Sequence, residues 1–168
     1  MIPSPFAEPA VRLLETRLAL LAPPTTGGIL RPADAAALLH GLIGASDREE
    51  FVALLVNARH RVTHAHVVSR GALDSTTVHP REVFKAAVLA NAAAIVVGHN
   101  HPSGCPRPSG EDQKVAARLR DAGELLGIPL LDSLIVTPQG AFYSAAEESF
   151  AQLTPAPRER RVEVGDGP

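Results

Sequence analysis

The sequence predicts an α/β domain in which a mixed β-sheet is flanked by helices, preceded by a helical extension. Three observations lead there. From residue 46 onward, strand-length apolar runs and helix-length apolar stripes alternate in the order β-β-α-β-α-β-β. Two of the runs, 51–56 and 92–97, are apolar on both alternating faces, as strands covered on both sides must be. Proline or glycine punctuates the junctions between these runs.

The elements follow in order. Residues 10–22 carry Val11, Leu14, Leu18 and Leu21 at helical spacing, and Pro23-Pro24 stops that helix. Thr25 to Gly28 reads as a flexible connection. A second helix starts near Pro32 and runs through Ala35, Leu38, Leu39 and Leu42 to Gly44. Residues 1–45 thus form a helical segment, either a packing cap on the main domain or an arm for a partner. A strand over 49–56 and another over 62–68 flank the turn Asn57-Ala58-Arg59 as a hairpin. On strict alternation the second strand puts Val62, His64, His66 and Val68 on one face. Gly71 to Val78 is a polar connector. Pro80 opens a helix over 81–91 with Val83, Phe84, Ala87 and Val88 as its stripe, and 92–97 is a buried strand. A helix from 109 to about 126 buries Val115, Leu119, Ala122 and Leu126, and Gly127 ends it. A strand over 128–136, a turn at Pro138-Gln139-Gly140 and a return strand over 141–143 follow. Residues 144–153 read as a last helical turn or two. The domain therefore spans 46–150, and the Pro-, Arg- and Glu-rich tail, 151–168, reads as disordered.

The 168 residues suit one domain with short appendages. With 45% hydrophobic and only 4% aromatic residues and no Trp, the core must be built of Leu, Val and Ala. The formal net charge of −2, without a Lys/Arg run, gives no electrostatic footprint for duplex nucleic acid beyond a local patch. A single cysteine excludes an internal disulfide framework and suits a reducing compartment. No apolar run reaches membrane-spanning length, and the N-terminus does not read as a signal peptide, so a cytoplasmic location is expected.

The chemistry concentrates between Gly98 and Asp112. His99 and His101, two apart at a strand end, point the same way, and the Pro/Gly loop after them turns the chain into a helix that begins Ser109-x-x-Asp112. Two imidazoles and one carboxylate with a fourth position open match the ligand set of a catalytic zinc site. Spacing alone leaves the pair open between metal ligands and ordinary loop histidines. Ser109-x-x-Asp112 is equally a helix capping box, which by itself accounts for both residues. His64-x-His66 repeats the spacing without a nearby acid and reads as an exposed strand face. Cys105 lacks an orienting partner for a nucleophile and reads as an extra soft ligand or a bystander. The zinc nucleobase deaminases need His-x-Glu and Pro-Cys-x-x-Cys, whereas Asn100 stands between the histidines here.

His99-x-His101-Pro102, separated by six residues from Ser109-x-x-Asp112, resembles in full the motif of the JAMM (MPN-type, JAB) metalloproteases. The stretches VHPREVFKAAVLANAAAIVVGHNHPSG and LLGIPLLDSLIV are similar to the RadC branch of that group, and the resemblance covers about residues 46–150. Two departures stand out. The short leading segment shows no helix-hairpin-helix signature, and Ser133 replaces a histidine common in the family phrase.

The resemblance implies a JAMM/MPN (JAB-like) fold and Zn2+ held by His99, His101 and Asp112, with a metal-bound water attacking an amide carbonyl. It also implies an upstream glutamate as general base and acid, which aligns with Glu49, and Ser109 as a donor to the oxyanion. Glu49 and Glu50 fall on opposite faces of a pleated strand, so only one can reach the metal. The implied activity is a zinc metallopeptidase or isopeptidase acting on a peptide or protein. The alternative is a DNA-repair-associated accessory module whose metal is structural or acts on another substrate, although the charge does not support direct DNA contact. The leading helices are also candidates for a homodimer contact.

Overall fold

The computed structural model describes residues 28–71 and 78–153. The helix expected over 10–22, most of the 71–78 connector and the tail beyond 153 lie outside the described residues. Three helices and six strands follow in the order α1 (Pro32–Ile43), β1 (Glu50–Val56), β2 (Val62–Arg70), α2 (Pro80–Leu89), β3 (Ala94–Asn100), α3 (Gly110–Leu126), β4 (Leu130–Val136), β5 (Ala141–Ser144) and β6 (Ser149–Gln152). The strands form one mixed sheet in the order β2-β1-β3-β4-β5-β6. Only β3 and β4 run parallel, because α3 carries the chain back across the sheet between them.

The sheet is the middle of three layers. On one face Ala35, Ala36, Leu39 and Ile43 of α1 pack on Val52, Leu54, Val96, Leu134 and Val136. On the other, Val83, Phe84 and Ala87 of α2 and Val115 and Leu119 of α3 pack with Phe51, Ala53, Leu55, Ile95 and Val97. This explains why β1 and β3 are apolar on both faces. Full burial of a side chain such as Leu39 or Leu119 contributes about 1.5–3 kcal/mol. Helix α1 is therefore a covering layer of the sheet. It packs tightly at Gly98, where a Cβ would run into the Leu39 side chain and press on the Leu134 carbonyl.

Several expectations need correcting. β2 carries two bulges, at Thr63 and Val68, because Val56 pairs with Val62 but Leu55 with His64, and Phe51 pairs with Ser69 but Val52 with Val67. Val62 consequently joins Ala65 against the α1 core, while His64, His66 and Ser69 align with Leu55, Ala53 and Phe51 on the opposite face. Strict alternation fails at each extra residue.

The stripes of α2 and α3 are also rotated from the expected ones. Ala86 is buried in place of Val88, and Ala116 and Gly123 in place of Leu126, which leaves Val88 and Leu126 about half exposed. Small residues win these positions because the helices lie close to their neighbours. A Cβ on Gly123 would sit 2.7 Å from the Ile128 carbonyl oxygen.

Residues 144–153 are not helical. Residues 145–148 form a turn, with Glu148 at φ 49°, and β6 returns against β5. Asp132 fastens the turn by accepting hydrogen bonds from the Ser144 hydroxyl at 2.7 Å and the Ala146 amide at 2.9 Å. The Phe150 ring then rests on Tyr143 at 5.0 Å. The Ala/Glu-rich composition favoured a helix, but pairing with β5 and this side-chain anchor override it. Among the described residues no helix is long and apolar enough to cross a membrane.

Candidate metal centre

β3 runs through His99 to Asn100, and its ladder with β4 continues one step further, with the His101 amide donating to the Val136 carbonyl at 2.9 Å. The expected strand over 92–97 is thus longer at the end that matters. This pairing holds both histidines in extended backbone, and a period of two puts their rings on one side. His99 is 2% exposed, with its ring stacked on Phe51 at 6.0 Å between centroids. Beyond His101 the chain turns at Gly104, whose φ of +81° suits glycine, and whose amide donates to the His101 carbonyl. The loop brings the Cys105 carbonyl to 2.7 Å from His101 Nδ1. That oxygen can only accept, so Nδ1 carries the proton and Nε2 presents a lone pair.

Ser109 caps α3. Its hydroxyl oxygen accepts from the Asp112 amide at 3.2 Å, and Asp112 Oδ2 accepts from both the amide and the hydroxyl of Ser109, each at 2.7 Å. The cap aims the carboxylate at the histidines. His99 Nε2 lies 3.0 Å from His101 Nε2 and 3.2 Å from Asp112 Oδ1, and His101 Nε2 lies 3.7 Å from Asp112 Oδ2. Burial alone would raise the Asp112 carboxyl. Hydrogen bonding and electrostatic attraction from His99, together with the Ser109 donors, outweigh it and hold the group well below the usual carboxylate range.

His99, His101 and Asp112 therefore form a candidate metal-binding triad, their ligand atoms all within 4.8 Å of one another. Ligands about 2.0–2.1 Å from a tetrahedral ion stand roughly 3.3 Å apart, close to the separations of His99 Nε2 from His101 Nε2 and from Asp112 Oδ1. The donor set, two imidazoles and one carboxylate, fits a borderline divalent ion. One feature departs from the usual surroundings of a ligating histidine: among the described residues the buried Nδ1 of His99 has no hydrogen-bond partner. Stacking on Phe51 orients this ring instead.

Comparison with protein families matches residues 29–150 to the RadC-like JAB domain. The chain belongs to this family. Among the relatives of this RadC-like JAB chain are proteins named UPF0758 protein. One from Rubrobacter xylanophilus is 47% identical over 123 residues, covering 73% of this chain and 54% of its own. One from Bacillus licheniformis is 45% identical over 119 residues, covering 71% and 53%. One from Methanosarcina acetivorans is 40% identical over 124 residues, covering 74% and 54%. The chain spans about half the length of the curated relatives it matches.

The remaining residues of interest in this RadC-like JAB domain divide by face. Phe51 pairs with His99 across β1 and β3, so Glu50, the first residue of β1, takes the face opposite His99, and Glu49 lies just ahead of the strand. Glu50 has partners there: its carboxylate accepts from the Ser46 hydroxyl at 2.9 Å and lies 3.2 Å from Arg70 Nε. Cys105 contributes its backbone carbonyl to His101, and its thiol is exposed. His64 and His66 stand outside the triad. They are half-buried rather than exposed, and burial, with the Lys85 ammonium, pushes the His66 pKa down. Ser133, where the family phrase commonly has histidine, pairs with Val97 on β3.

Sequence reasoning missed two residues. Phe51 looked like one more core aromatic, and only its register opposite His99 reveals the stacking. Asn100 was noted only as a residue that is not glutamate. Its position between two histidines was the available signal.

Proposed function

We propose that this chain is a zinc-dependent metallohydrolase of the JAMM type that cleaves an amide or isopeptide bond in a peptide or protein. The observation that carries the reading is the convergence of His99, His101 and Asp112 on one point at the carboxyl end of β3. When bound there, zinc would supply a Lewis acid that makes water a usable nucleophile near neutral pH.

The chain's own groups account for the rest. The His101 tautomer is set by the Cys105 carbonyl. Asp112 is kept ionised by its neighbours. Glu49, two residues before the Phe51 that pairs with His99, is assigned as the base that takes a proton from the attacking water and returns it to the leaving amine. Ser109 is assigned to the oxyanion. Its hydroxyl proton is engaged by Asp112, so serving the substrate requires that proton to swing away while the Ser109 amide keeps its hold on Asp112.

Metal analysis of the purified protein tests the reading. Zinc near one per chain is expected, lost in His99→Ala and in Asp112→Ala, while Glu49→Gln keeps zinc and loses peptidase activity. Full activity in Glu49→Gln removes the assigned base. Zinc that raises thermal stability without turnover on any peptide library makes the metal structural.

A further inference from the structure

Asn100 is completely buried, and both N–H groups and the oxygen of its side chain bond to one short stretch of backbone. Its Oδ1 accepts from the Glu50 amide at 2.7 Å. Its Nδ2 donates to the Arg48 carbonyl at 2.9 Å and to the Ser46 carbonyl at 3.3 Å. The Arg48 carbonyl belongs to the peptide plane entering Glu49, and the Glu50 amide to the plane leaving it. One side chain therefore holds both planes hinged at the Glu49 Cα. Fixing the two planes fixes φ and ψ there, and with them the direction of the Cα–Cβ bond. From the other side, the Gly71 amide holds the Glu49 carbonyl at 2.8 Å.

We infer that Asn100 is a positioning residue for Glu49, setting the aim of the base relative to the two histidines that flank Asn100 in the chain. The inference rests on the reading of Glu49 as the base. The pleat makes the arrangement work: His99 and His101 project from one side of the strand end, and Asn100 projects from the other to grip the loop leading into β1. Glu49 precedes the first residue of β1, where strand pairing alone constrains direction least. The grip needs a primary amide, since one acceptor and two donors must act at once. Aspartate has the shape and the acceptor but no donor for the two carbonyls. Alanine has neither.

The test uses Co2+ alone as probe, in the full chain, comparing wild type, Asn100→Ala, Asn100→Asp, Glu49→Gln and the double variant Asn100→Ala/Glu49→Gln. The visible absorption of bound Co2+ reports groups that touch its non-protein ligand. Asn100→Ala is expected to bind Co2+ within about threefold of wild type and to change the spectrum in the same sense as Glu49→Gln. The double variant should match Glu49→Gln alone, because a residue that only aims Glu49 has nothing left to aim. Asn100→Asp should follow Asn100→Ala in the direction of the spectral change. An Asn100→Ala spectrum equal to wild type, or a double variant in which the two changes add, overturns the inference while leaving the metal site intact. Should Asn100→Ala fail to fold, Asn100→Asp carries the same expectation. If neither folds, Asn100 is a folding element and the inference fails. Wild type without bound Co2+, or Glu49→Gln without spectral effect, overturns the reading of Glu49 itself and the inference with it.

Discussion

Asp112 Oδ2 lies 2.7 Å from both the amide and the hydroxyl of Ser109, so the residue that caps α3 also holds the carboxylate of the candidate metal triad. Cap and ligand were rival explanations of the same four-residue pattern. The geometry lets one arrangement serve both, with the cap orienting the candidate ligand.

Ser109→Ala separates the two contributions. It is expected to cost about 0.5–2 kcal/mol of stability through the lost cap. It should also weaken metal binding by about tenfold or more, because Asp112 loses one of its two Ser109 donors. Denaturant melts and metal titration check the two effects, and undiminished metal affinity would show that the amide donor suffices.

Gly98→Ala should destabilise the domain by about 1–3 kcal/mol, since the new methyl group meets Leu39 and the Leu134 carbonyl. The clash adjoins His99, so metal binding should weaken as well. In a double-mutant cycle, Leu39→Ala should cost less in the Gly98→Ala background than in wild type, measured by urea unfolding. Strict additivity would mean that the helix has moved away.

Glu50→Gln should leave metal content and hydrolysis unchanged and cost less than about 1 kcal/mol, as its partner Arg70 is exposed to solvent. Glu49→Gln should do the reverse, keeping the fold and abolishing turnover. Loss of turnover in Glu50→Gln would exchange the two assignments.

Asp132 provides a pH signature. Burial raises its pKa, aided by the Glu147 charge, against the hydrogen bonds from Ser144, Ala146 and Ser133. A carboxyl whose folded pKa lies above its unfolded value binds more protons in the native state. Its stabilising contribution is full below the unfolded value of 3.8 and is lost as pH rises through the folded one. Asp132→Asn cannot ionise, so any stability advantage of wild type over this variant should shrink from pH 3 to about pH 7. Thermal melts across that range check it, and an advantage that grows with pH would reverse the assigned direction.

Much of the fold was legible because β1 and β3 are apolar on both faces and the helices carry clear stripes. The bulges of β2 were not, since an extra residue leaves no mark in an alternating pattern until its partner strand is known. β6 was misread because Ala145 to Glu148 favour helix locally, while the anchor that makes them a turn, Asp132, is distant in sequence. In the site, spacing marked His99, His101 and Asp112 as candidates because a single strand, loop and helix carry them, but it left loop histidines and a helix cap as equal readings. The place of Glu49 depends on the pairing of Phe51 with His99, and the grip of Asn100 depends on where the loop before β1 passes. Neither is encoded in a local pattern.

The antiparallel pairing of β1 with β3 has a consequence for assembly. His99, His101 and Asp112 lie within one short stretch of chain, whereas the segment that carries Glu49 comes alongside β3 only through pairing across a long intervening segment. Contacts close in sequence form at lower entropic cost than distant ones. On the proposed reading, the candidate ligands are thus brought together at lower entropic cost than the assigned base.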